Sequence, residues 1–152
     1  MKRVVFTVGN PMRGDDAAGP LLAEMLENEP APGWDVIDGA DVPENHTHAV
    51  RRLEPDQVLV VDAAAMGLKP GEIRIIDEGD VADNFLITTH AIPLNFLIQS
   101  LKETVSDIQF LGIQPEDTSF YGPVTPVVRE AVATLHRHLV SGGAPEDYQP
   151  VA

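Results

Sequence analysis

The chain has 152 residues, 43% of them hydrophobic and 22% charged, which is the length and balance of one globular domain. It has no cysteine, which excludes disulfides, thiolate metal sites, iron–sulfur clusters and cysteine nucleophiles. Ten Lys and Arg stand against 24 Asp and Glu, and the net charge of −14 repels phosphate backbones and anionic lipid, so neither nucleic acid nor a membrane is an expected partner.

Lys2–Gly9 is rich in apolar and β-branched residues (VVFTV) and ends at Gly9-Asn10-Pro11, the pattern of a buried strand running into a loop. The short apolar run behind Lys2 and Arg3 is too brief for a signal-peptide core. No run approaches the roughly 18 apolar residues of a membrane span. Asp16–Asn28 reads as a helix with Pro20 in its first turn and Leu21, Leu22, Met25 and Leu26 as its apolar stripe. Pro30 to Gly33 breaks the chain before a strand over Trp34–Gly39, and a short helix is expected within Asp41–Arg52.

Gln57–Asp62 (QVLVVD) is the clearest core strand. After a Lys69-Pro70-Gly71 turn, Glu72–Ile76 alternates as a strand and, the gap being short, is expected to pair antiparallel with the preceding one. A short helical turn is expected over Asp77–Asn84. A helix over Pro93–Thr104 follows, with Leu94, Leu97, Ile98 and Leu101 on one face. A strand over Gln109–Ile113 and a final helix over Tyr121 to about Leu139, started near Pro126, complete the pattern. Strands alternating with helices argue for an α/β sandwich with a mostly parallel sheet, a single domain over residues 1–141. Residues 142–152 are expected to form a mobile tail.

Ligands of open α/β sheets sit beyond the carboxyl ends of the strands. Three polar positions fall there. The first is Gly14-Asp15-Asp16, after the first strand. Helix capping accounts for one Asp and is the simpler reading of this segment alone, though two adjacent acids in a loop framed by Gly9, Gly14 and Gly19 exceed what capping needs. The second is Asp62, at the rim of the core, where a turn acid and a ligand-binding acid are equally good accounts. The third is His90, at the start of a helix beside Thr88 and Thr89. A lone histidine is more often a satisfied side chain than a ligand.

Together these make two carboxylates and an imidazole, a donor set suited to a divalent transition metal with coordination positions left open. Asp15 and Asp38 are candidates for orienting such ligands. His136 and His138, two apart on a helix, point to different sides and read as a solvated helix end, and His46 and His48 share that spacing. The glycines of the first loop are five apart, not GxGxxG, which argues against a dinucleotide site. HExxH, GxSxG and GxxxxGK[ST] are all absent.

The stretches VGNPMRGDDAAGPLLAE, VIDGADVPENH, VLVVDAAAMGLKPGEIRIID, TTHAIPLNFLI and FLGIQPEDTSFYGPVTPVV resemble the endopeptidases that mature nickel–iron hydrogenases, most closely the branch acting on the hydrogenase 3 (formate hydrogenlyase) large subunit. The resemblance covers about residues 3–140. It implies a three-layer α/β domain with a twisted five-stranded sheet between helices. The activity it implies is removal of the C-terminal extension of the large-subunit precursor once nickel has been inserted, by a cytoplasmic, monomeric protease of aspartyl type. It also implies that Asp16, Asp62 and His90 are the metal-binding and catalytic residues and that the nickel arrives with the precursor. The family usually has glycine after the paired acids, and here Ala17 takes that place. The rival expectation is a non-catalytic nickel carrier or chaperone for hydrogenase assembly. A third is a small-molecule hydrolase on the same sheet edge.

Overall fold

A computed structural model of the chain describes residues 2–77 and 91–151, without the side chains of 44 and 91–96. The chain order is β1 (Arg3–Thr7), α1 (Ala18–Asn28), β2 (Trp34–Asp38), α2 (Thr47–Leu53), β3 (Gln57–Ala63), β4 (Ile73–Ile76), α3 (Ala91–Lys102), β5 (Asp107–Ile113) and α4 (Pro126–Val140). Short 3₁₀ turns precede α1 (Gly14–Ala17) and α2 (Pro43–His46). The five strands form one sheet in the order β2-β1-β3-β5-β4. All neighbours are parallel except β4, which runs antiparallel to β5 with Ile73 opposite Ile113.

Strand alternation builds two cores. Val4 and Phe6, Val58 and Val60, and Phe110 face one layer of helix, meeting Val50 of α2 and Leu97, Ile98 and Leu101 of α3. Val5, Leu59, Val61 and Leu111 face the other, meeting Leu22 and Leu26 of α1 and Val132, Leu135 and Leu139 of α4. Every residue of β3 is buried, so this central strand reads as the near-continuous apolar run of a two-sided parallel sheet. The three-layer sandwich expected from the sequence is the fold. No helix among the described residues is long and apolar enough to cross a membrane.

Two expectations are corrected. The strand over residues 72–76 does not pair with the one before it, because both edges of β3 are taken by β1 and β5; β4 goes instead to the open edge of β5. The segment after α4 is not loose. The Ile75 N–H donates to the Gln149 carbonyl at 2.8 Å and the Val151 N–H to the Ile75 carbonyl at 2.9 Å, so the tail lies along β4. The expected turn over 77–84 lies, beyond Asp77, outside the described residues.

The strand order sets the site. From β1 the chain goes outward to β2, then returns to the other side of β1 for β3. The carboxyl ends of β1 and β3 therefore flank the point where the connections diverge, the usual crevice of this architecture.

Candidate functional site

Asp16 and Asp62 meet at that crevice. Asp62 is the sixth residue of β3 and lies opposite Gly112 of β5. By alternation it shares the side of Val58 and Val60, the face covered by α2 and α3. It is fully buried, and neither carboxyl oxygen has a well-formed hydrogen-bond partner among the described residues; the Ala63 N–H beside it favours the anion only slightly. Burial pushes its pKa well above the usual 3.8, and the charge of the neighbouring Asp16 pushes it further. A sealed carboxyl with open lone pairs keeps a proton or takes a cation; it does not stay an isolated anion.

Asp16 lies on the 3₁₀ turn that follows β1 and is 1% exposed. The loop before it wraps around it. The Asn10 N–H donates to Asp16 Oδ2 at 2.8 Å, and the Asp16 N–H donates to the Arg13 carbonyl at 2.9 Å. Gly9 makes this wrapping possible: its φ is 146°, and a Cβ there would strike the Asp16 carbonyl. Asn10 has no prominence in the sequence. Its one signal is its place between Gly9 and Pro11 at a strand end.

Asp15 turns away from this pair. Its carboxylate accepts from the N–H groups of Glu116 (2.8 Å), Asp117 (3.0 Å) and Thr125 (2.7 Å) and from the Thr125 hydroxyl. It clamps the loop after β5 onto the turn after β1. The expectation that Asp15 orients ligands is thus replaced by a structural latch. Asp38 accepts from the Thr7 hydroxyl at 3.1 Å and the Ala40 N–H at 2.9 Å, so it shapes the turn after β2. Ala17 has φ −79° and ψ 5°, backbone that demands no glycine.

His90 lies outside the described residues. Among the described residues no group of three or more His, Asp or Glu gathers to hold a metal ion. Two histidines of α4 are docked: His136 Nε2 donates to the Glu29 carbonyl at 2.9 Å, and His138 Nε2 lies 3.0 Å from both the Ala144 carbonyl and Asp147 Oδ2. His136 is buried and His138 partly so, whereas His48 is exposed.

The profile of the hydrogenase maturation protease family matches residues 20–141. The chain is 52% identical over 139 residues to the hydrogenase 3 maturation protease of Escherichia coli (strain K12), covering 91% of this chain and 89% of that one.

The chain belongs to the hydrogenase maturation proteases.

Its fold superposes on an Escherichia coli endopeptidase, HycI, with a TM-score of 0.92 at 48% identity, over 100% of this chain and 97% of the other. It also superposes on a nickel–iron hydrogenase maturation protease from Thermococcus kodakarensis KOD1 with a TM-score of 0.82 at 28% identity, over 92% and 90%. This maturation protease is accordingly a hydrolase of peptide bonds, an endopeptidase. Among the described residues, the carboxyls of Asp62 and Asp16 lie at the carboxyl ends of β3 and β1.

Proposed function

We propose that this protease removes the C-terminal extension of a nickel–iron hydrogenase large-subunit precursor, and that it does so only after nickel has been inserted. The observation that carries this reading is Asp62: two buried carboxyl oxygens without a well-formed hydrogen-bond partner among the described residues, next to the acid of Asp16. An acid buried so completely, and so poorly supplied with donors among the described residues, is kept at a cost to stability. A divalent ion brought in by the substrate removes that cost, and oxygen donors suit it. We assign Asp16, Asp62 and His90 as the groups that engage the nickel already bound to the precursor, His90 by the family resemblance alone. The nickel is part of the substrate, and it would supply Lewis acidity near the scissile carbonyl.

The protein's own part is positional. The Asn10 N–H and the Arg13 carbonyl fix Asp16 from two sides, and the β3 backbone fixes Asp62, so the two acids need little rearrangement when the precursor arrives. Asp62 can hold or give up a proton as charge enters the crevice. A precursor without nickel lacks the contact these groups make, which gives a checkpoint on metal insertion. We place the protein in the cytoplasm as a monomer acting on this one macromolecular partner.

The test is to incubate nickel-loaded and nickel-free precursor with the protease and with its Asp16→Ala, Asp62→Ala and His90→Ala variants, and to read precursor length. The reading expects cleavage only by wild type and only of loaded precursor. Normal processing by all three variants, or efficient cleavage of nickel-free precursor, overturns it. A nickel carrier would leave the precursor's length unchanged.

A further inference from the structure

Large apolar side chains reach the surface at few described positions, and three of them gather beside the Asp16 turn: Met12 is 53% exposed, Phe120 64% and Tyr121 81%. The two rings are 6.2 Å apart, and the Arg13 guanidinium carbon sits 4.9 Å from the centre of the Phe120 ring. This arrangement is held in place. The Tyr121 N–H donates to the Met12 carbonyl at 2.7 Å, and the Gly14 N–H to the Gly122 carbonyl at 3.2 Å. Tyr121 has φ 60°, the left-handed region that an aromatic residue occupies only when its surroundings enforce it. Arg13 Nε is buried without a hydrogen-bond partner among the described residues.

The patch adjoins the turn that carries Asp16. Arg13 accepts the Asp16 N–H through its carbonyl, and the Asp15 carboxylate grips the loop that carries both rings. Met, Tyr, Phe and Arg are the residue types enriched where proteins bind other polypeptides, because they bury large areas at modest entropic cost.

We propose that Met12, Arg13, Phe120 and Tyr121 form the platform on which the polypeptide substrate docks next to the scissile bond. The two rings and Met12 take an apolar segment of the precursor, and Arg13 donates to a main-chain carbonyl of that segment. This rests on the proposed function, since the occupant is the same precursor; it adds the residues that select it.

The experiment is steady-state cleavage of nickel-loaded precursor by Phe120→Ser, Tyr121→Asn and Arg13→Gln, each with its Tm; asparagine tolerates the backbone that Tyr121 adopts. The platform predicts a KM raised on the order of tenfold with kcat near wild type, the signature of lost binding and not of lost chemistry. Binding of each variant, combined with Asp62→Asn, to loaded precursor should weaken in step, which keeps the test decisive if one variant folds poorly. Unchanged KM and binding in folded variants overturn the platform and leave the proposed function standing. A fall in kcat at unchanged KM overturns it equally. Failure of the wild type to cut loaded precursor overturns the proposed function, and the platform with it.

Discussion

Asp62 carries its own stability signature. Its folded pKa is raised, first by burial and then by the Asp16 charge, above the usual 3.8. The stability linked to this group is therefore fully present below the unfolded value and is lost as pH rises through the folded one. Asp62→Asn keeps the shape and removes the charge. It is expected to melt above wild type at pH 7 and to lose that advantage as pH falls toward 4, while cleaving no precursor. Paired melting curves at the two pH values check this, and equal Tm at pH 7 would contradict it. Adjacent acids show how far single residues can be read from sequence. Apart from the family resemblance Asp15 and Asp16 are indistinguishable there, yet the 3₁₀ turn aims one at Thr125, far along the chain, and the other toward the Asn10 N–H. Nothing local encodes that choice; it depends on where the loop after β5 comes to rest.

At the scale of elements, the turn after β1 and the loop after β5 act as one unit because the Asp15 carboxylate ties them together. Asp15→Ala strands three part-buried N–H donors and the Thr125 hydroxyl at once and is expected to cost about 2–4 kcal/mol. Chemical denaturation checks the size. KM for loaded precursor should rise as well, since the loop bearing Phe120 and Tyr121 is released. An unchanged midpoint would contradict the latch. Strands and helices themselves were legible: β3 from its unbroken apolar run, α1 and α4 from their stripes, each within a few residues. Pairing was less so. Proximity in sequence suggested β4 beside β3, but a central strand has no free edge to offer, and edge occupancy depends on β5, which comes later in the chain.

Across the whole molecule, the diverging connections from β1 and β3 place two acids from distant parts of the chain at one crevice, a consequence of strand order that sequence alone could suggest only through family resemblance. The far edge is closed by the chain's own end, where residues 149–151 pair with Ile75 and the His138 ring meets Tyr148 at 5.4 Å. Deleting residues 145–152 should bare β4, lower Tm and promote self-association, with kcat on loaded precursor near wild type. Size-exclusion profiles and melting curves check this, and an unchanged Tm would contradict the docked tail. In the proposed function, the buried acids at the carboxyl ends of β1 and β3 perform maturation cleavage on nickel-bearing substrate. Mass spectrometry of nickel-loaded precursor after incubation tests it most directly. Wild type should leave a shortened large subunit and folded Asp62→Asn an intact one; shortening by the variant at the wild-type rate would show that Asp62 is not needed for cleavage.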